Sequence, residues 1–148
     1  MDIVSSKKRS QMISSIKYKN TNPKLVIRKI IFNLGFRYRL NQKIGKTKPD
    51  IVLKKWNLCI FVHGCFWHQH QNCKISSKPK SNTDFWNDKL KSNVIRDQKN
   101  ITELKELGWN VGVIWECFTR GKNPKQQILK QYITSRIFWE LGKNHNLL

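Results

Sequence analysis

Carboxylates are scarce in this sequence: five Asp and four Glu stand against 29 Lys and Arg in 148 residues, a formal charge of +20. In so basic a chain, an acidic residue on an apolar face calls for a specific reason. Long apolar runs are also missing. Nothing approaches the roughly 20 consecutive apolar residues that a bilayer-spanning helix needs, and Met1-Asp2-Ile3-Val4-Ser5 has no signal-peptide pattern. The expected compartment is the cytoplasm. Internal repeats and low-complexity linkers are absent too, so the length fits one domain over 1–148.

The excess charge is spread along the chain, with 13 basic residues in 1–50, 9 in 51–100 and 7 in 101–148. A tail would concentrate it at one end, so the folded body itself is basic. Cations that meet phosphates release condensed counterions, which points to nucleic acid. An anionic membrane surface, or a lysine- and asparagine-rich proteome, would give the same composition.

The pattern of apolar residues outlines an α–β–β–β–α–β–α order, an α/β domain. Residues 5–20 form a short basic helical arm with Met12, Ile13 and Ile16 at helical spacing. Asn22-Pro23 starts a helix with Val26, Ile30 and Leu34 on one stripe, and Gly35 stops it. Phe36–Leu40 alternates as a strand. Asp50–Leu53 and Leu58–Val62 read as a hairpin. A Cys/His-rich loop fills 63–80, Thr83 caps a helix over 84–107, and Trp109–Trp115 is a strand. Asn123-Pro124 opens a last helix that turns Ile128, Tyr132, Ile133 and Ile137 inward.

Three of the four histidines and two of the four cysteines fall within 63–73. Cys65, His70 and Cys73, with Cys117 beyond the last strand, form a Cys3His set, the chemistry of a closed tetrahedral zinc site. Disulfides, which the missing signal peptide disfavours, or free core thiols are the alternatives. Cys59, inside an apolar strand, reads as a small buried hydrophobe.

Asp50 heads one strand of the hairpin and His63 ends the other. Asp97 occupies a slot on the apolar stripe Leu90, Val94, Ile101 and Leu104. Phosphodiester cleavage needs charge neutralisation, a hydroxide source and a proton acceptor. Mg2+ on a carboxylate and a histidine near neutrality supply these, with Asp50, His63, His68 and Asp97 as the candidates. Their plain alternatives are a turn cap, an ion pair with lysine and decoration of the zinc loop. Phe66 and Trp67 in the loop, and Trp86 at the helix start, could stack on or wedge between bases, or could wrap the metal site as a miniature core.

These residues carry a resemblance. Lys8-Arg9-Ser10 through Met12, Gly35-Phe36-Arg37, Pro49-Asp50-Ile51-Val52, and Phe61-Val62-His63-Gly64-Cys65-Phe66-Trp67-His68 resemble the very-short-patch repair (Vsr) mismatch endonuclease family. So do Phe85-Trp86, Asn93-Val94, Arg96-Asp97, Leu107-Gly108-Trp109 and Trp115-Glu116-Cys117.

The resemblance implies a single restriction-endonuclease-like α/β domain, a mixed central sheet flanked by helices with a structural zinc. It also implies a Mg2+-dependent enzyme that nicks one strand of duplex DNA beside a T:G mismatch. By that resemblance Asp50 binds Mg2+ together with the Val62 backbone carbonyl. His63 stands where related nucleases keep a lysine, His68 is the general base, and Asp97 orients a histidine. Zn2+ would sit on Cys65, His70, Cys73 and Cys117, and Met12, Phe66, Trp67 and Trp86 would form the DNA wedge, with 1–20 as a DNA-contacting arm. The expected partners are mismatched duplex DNA and mismatch-repair proteins, for a nucleoid-associated monomer. The chain departs from the family in carrying Lys24 where a Glu is usual. Two other readings remain: a restriction-type nuclease on intact sites, and a non-catalytic zinc-containing DNA-binding protein.

Overall fold

Asn22-Pro23 sits where the text of the chain predicts a helix start, because proline lacks only an N–H that the first turn leaves unpaired anyway. In the computed structural model, which describes residues 5–15, 19–121, 127–128 and 130–135, helix α2 spans Asn22–Asn33. It ends at Gly35, whose φ of +88° belongs to the left-handed region that glycine tolerates. The buried stripe is Ile27, Ile30 and Ile31, with Val26 at its margin. Leu34 does not join it. Leu34 lies at the helix end and is exposed, since the last turn runs past the sheet it covers. Ahead of α2, helix α1 (Ser6–Ser14) is capped by Ser5, whose hydroxyl accepts from the Lys8 N–H. Ile16, expected on the arm's apolar face, lies outside the described residues.

The described residues hold a four-stranded sheet in the order β1-β2-β3-β4. The strands are β1 (Arg39–Leu40), β2 (Ile51–Leu53), β3 (Leu58–His63) and β4 (Asn110–Trp115). β1 is shorter than the alternation of Phe36–Leu40 suggests, because its neighbour β2 offers only three residues to pair with; Phe36 and Tyr38 pack on the core instead. β2 and β3 form the expected antiparallel hairpin. Its turn closes at Asn57, with φ +51°, and the Asn57 amide donates to the Gly108 carbonyl at 2.6 Å, fastening the hairpin to the start of β4. β3 and β4 run parallel, with His63 opposite Trp115. Parallel neighbours need a crossover, and helix α3 (Thr83–Glu106) supplies it.

Alternation along the strands divides the core in two. Ile51, Leu53, Leu58, Ile60, Val62 and Ile114 face α2 and Ile133. Val52, Cys59, Phe61, Val111 and Val113 face α3 through Leu104 and Ile101. Each fully buried aliphatic side chain contributes about 1.5–3 kcal/mol of transfer free energy. By the same parity, Asp50, His63 and Trp115 emerge on the α3 side, at the end of the sheet.

Three details of the helices differ from the sequence expectation. Thr83 is the first helical residue, and Asn82, in a left-handed conformation, is the cap. The inward stripe of α3 is Trp86, Leu90, Asn93 and Leu104, while Val94 is exposed, because the sheet lies one residue further round the helix. In the last helical segment, described at 127–128 and 130–135, Ile133 is buried and Tyr132 packs on the core. Ile128 is exposed, at the rim of a shallow apolar cavity that it lines with Val113, Ile114, Phe118 and Tyr132. Asn123, Pro124 and Ile137 lie outside the described residues.

The loop that delivers Asp50 is anchored on α3. Glu103 accepts from the Thr47 hydroxyl and, at 2.8 Å, from the Lys46 N–H. Gly45 has φ +57°, and a Cβ there would come within 2.6 Å of the Glu103 carboxylate. The Thr47 hydroxyl, then the Lys46 N–H, hold the Glu103 carboxyl below its ordinary range. A depressed carboxyl stabilises the fold above its unfolded pKa and ceases to do so as pH falls through the folded value. Glu103→Gln is therefore expected to lower the thermal midpoint at pH 7, with a difference from wild type that vanishes on acidification. Thermal melts at pH 7 and below pH 4 check this.

Candidate active site and metal centre

Strand parity brings Asp50 and His63 to one end of the sheet, and α3 closes over them. Asp50 follows Pro49 at the mouth of β2, where its Oδ2 accepts from the Val62 N–H at 2.8 Å. Its Oδ1 lies 2.7 Å from the Lys24 ammonium of α2, in a pair whose side chains are 13% and 15% exposed. A cleft of about 340 Å³ is lined by Lys24, Asp50, Val62, His63, Trp67, His68, Lys89, Asn93, Arg96 and Asp97. All four proposed catalytic residues thus share one cavity.

His68 Nδ1 lies 2.5 Å from Asp97 Oδ2. A carboxylate only accepts, so His68 Nδ1 carries the proton that it donates to Asp97. The His68 ring stacks on His63 at 4.0 Å and 5°. His63 is 5% exposed. Burial, then repulsion from His68, Lys24 and Arg96, outweighs the attraction of Asp97 and lowers its pKa to about 4. His63 is consequently neutral at pH 7.

The 63–70 turn is tied down by its own backbone. The His68 N–H donates to the Gly64 carbonyl and the His70 N–H to that of Cys65. The Asn93 amide donates to the Trp67 carbonyl at 3.1 Å, and Arg96 donates to Asn93. One face of α3 therefore presents Asn93 and Asp97 to successive parts of the same loop.

Cys65, His70, Cys73 and Cys117 offer donor atoms all within 4.8 Å of one another. His70 Nδ1 is 3.6 Å from Cys65 Sγ and 3.4 Å from Cys117 Sγ. Sulfur and nitrogen ligands of a tetrahedral zinc, at about 2.3 and 2.05 Å, lie about 3.6 Å apart. This donor set fits that ion. All four cysteines are thiols, so the disulfide alternative is not realised. Burial pushes Cys65 up to about 12, and a thiol so shifted ionises at neutral pH only beside a cation. The Ile75 N–H lowers Cys73. Ser76 braces the loop, its one hydroxyl proton shared between the carbonyls of His70 and Cys73, both at 2.7 Å. Cys59, fully buried among apolar neighbours and likewise pushed up to about 12, stays a packing residue.

Phe66, Trp67 and Trp86 form one aromatic cluster, with centroids 5.1, 5.5 and 6.1 Å apart. Phe66 and Trp67 are half-buried, whereas Trp86 is 5% exposed and lies beneath them. Phe85 beside it is exposed. Met12 is exposed on α1, and Arg9 of that helix donates to Ser81, just ahead of α3.

The contacts of two residues at the site are not legible in the sequence. Trp115 stacks on His70 at 4.2 Å and meets His63 edge-on at 5.3 Å, so one indole links the Cys3His cluster to the histidine pair. Its place in the Trp-Glu-Cys run beside Cys117, together with strand parity, was the available signal. Lys24 is the other, and no local pattern ties it to Asp50.

The fold resembles that of the homing endonuclease I-Bth0305I catalytic domain, with a TM-score of 0.55 at 17% identity, covering 82% of this chain and 98% of that one. That likeness shows the fold alone. Among proteins related in sequence, the "type II nicking enzyme V.NmeAIP" of Neisseria meningitidis is 48% identical over 82% of this chain and 86% of its own. The "DNA mismatch endonuclease Vsr" of Escherichia coli is 32% identical over 92% and 85%. A mixed sheet with helices on both faces, a basic cleft and these relatives define a DNA endonuclease of restriction-endonuclease-like fold. The family described as "DNA mismatch endonuclease Vsr" matches residues 1–74. The chain belongs to the Vsr family. No helix among the described residues is long and apolar enough to cross a membrane.

Proposed function

We propose that this chain is a Mg2+-dependent endonuclease that nicks one strand of duplex DNA next to a T:G mismatch, the step that opens very-short-patch repair. The observation that carries the reading is the gathering of Asp50, His63, His68 and Asp97 in one cleft lined by Lys24, Lys89 and Arg96. A non-catalytic DNA binder has no use for that arrangement.

The Asp50 carboxylate, a hard oxygen donor at the cleft, fits Mg2+, with the Val62 backbone carbonyl beside it as the second protein ligand. When bound, Mg2+ supplies charge neutralisation at the scissile phosphate and lowers the pKa of water. His68, fixed by Asp97, turns Nε2 outward to take a proton from the attacking water. His63 is neutral, so it packs against His68 without placing a second positive charge on the base. Lys89 and Arg96 meet the phosphate backbone. Cys65, His70, Cys73 and Cys117 hold a structural Zn2+, which clamps the 63–80 loop to the end of β4.

Phe66 and Trp67 enter the base stack, supported from below by Trp86, with Met12 reaching in from the arm at 1–20. A mismatched pair costs less to open than a matched one, and this difference gives selectivity. The chain works as one endonuclease domain and as a monomer, on nucleoid DNA in the cytoplasm, where mismatch-repair proteins are its partners.

Nicking of a T:G duplex in Mg2+, read on denaturing gels with each strand labelled in turn, tests this. Wild type is expected to cut one strand only. His68→Ala is expected to slow cutting by about 10²- to 10⁴-fold, the usual worth of a general base. Cutting of both strands, or an unaffected His68→Ala rate, would contradict the reading.

A further inference from the structure

We propose that Lys24 is a built-in competitor of the divalent cation, holding Asp50 with its own ammonium until the metal displaces it. The proposal rests on Asp50 being the metal carboxylate. Lys24 lies three residues after the cap Thr21, in the first turn of α2, a turn with no acidic residue. A cation there faces the positive end of the helix dipole, a placement that helix electrostatics disfavour. Its side chain is nonetheless drawn in to 15% exposure, with Nζ 2.7 Å from Asp50 Oδ1.

Both oxygens of Asp50 are therefore engaged, Oδ1 by Lys24 and Oδ2 by the Val62 N–H. The N–H cannot move without unpairing the strand. The ammonium can, because it sits on a flexible four-carbon stem and lines an open cleft. A divalent cation that reaches Oδ1 must replace it, and two cations cannot share that oxygen without strong repulsion. The released ammonium stays in the cleft, among the Lys89 and Arg96 side chains that await phosphate. Lys24 thereby holds Asp50 oriented before metal arrives and raises the metal concentration needed to fill the site.

Mn2+ affinity of the zinc-loaded protein, measured by electron paramagnetic resonance without DNA, tests this. Lys24→Gln is expected to bind Mn2+ about tenfold more tightly than wild type, the factor that one pK unit of differential interaction represents. Lys24→Arg, which keeps the charge, should bind as wild type does. The Mg2+ concentration for half-maximal nicking should fall in Lys24→Gln in the same direction. Zinc content and thermal midpoint, followed in parallel, show whether each variant is folded. Equal or weaker Mn2+ binding by folded Lys24→Gln would overturn the proposal. Asp50→Asn separates this failure from a failure of the underlying reading. If Asp50→Asn leaves Mn2+ binding intact, Asp50 is not the metal carboxylate. If it abolishes binding while Lys24→Gln changes nothing, only the competition is wrong.

Discussion

Asp50→Asn is expected to slow strand nicking by about 10³-fold while leaving a folded, zinc-loaded protein. The kinetic loss follows from removing the anionic oxygen that is proposed to anchor the metal, whose stabilisation of the transition state amounts to several kcal/mol; about 4 kcal/mol corresponds to 10³ in rate. The structural loss is small for two reasons. Asparagine keeps a carbonyl oxygen that can accept from the Val62 N–H, which Asp50 Oδ2 now receives at 2.8 Å. The Lys24 ammonium, which would otherwise be left as a mostly buried cation without its partner, sits on a flexible stem that can carry it into the open cleft and toward water. Single-turnover nicking and a thermal melt on the same preparation check both halves. A variant that unfolds would assign Asp50 a structural role, and one that cuts at the wild-type rate would remove it from the chemistry.

The second large effect is expected from Cys117→Ser. Cys117 follows β4, whereas Cys65, His70 and Cys73 belong to the loop after β3, so within the Cys3His set Cys117 is the member that ties that loop to the end of the neighbouring strand. Zinc binding to a structural site is folding free energy. The protein also has a two-sided apolar core, so loss of the site destabilises it rather than unfolding it outright. A cost of about 3 kcal/mol is expected, which at this chain length lowers the thermal midpoint by about 10 °C. Nicking should fall as well, because His68 lies two residues from His70 on the same braced turn, and Trp115 touches both His70 and His63. Zinc analysis and a melt decide: unchanged zinc content and midpoint would remove Cys117 from the ligand set.

How far the molecule can be read from its residues depends on the range of the interactions involved. The hairpin, the long helix and the parallel partner strand follow from apolar periodicity and turn chemistry, which are local. The Cys/His cluster was legible because thiol and imidazole side chains are rare and their clustering within 63–73 is hard to explain otherwise. Strand parity was enough to set His63 and Asp50 on one face. The face of α3 was less legible: Val94 and Asn93 differ by one helical step, and the sheet chose the polar residue because its amide satisfies the Trp67 carbonyl. The Lys24–Asp50 pair joins two elements by tertiary packing alone, and one lysine among so many gives no signal of its own. Trp115 was hidden for a similar reason, since its contacts on both sides arise only when β4 pairs with β3.

The central claim is that this cleft cuts DNA at a mismatch. The most direct test is an internal competition in one tube between a T:G duplex and its T:A counterpart, each labelled with a different dye, in Mg2+. The ratio of nicked products gives the ratio of kcat/KM, the quantity that defines specificity. The account predicts nicking of one strand of the T:G duplex with a preference of about 10²-fold or more, corresponding to the few kcal/mol that separate opening a mismatched from a matched step. A ratio near one, or no product from either duplex, would contradict it.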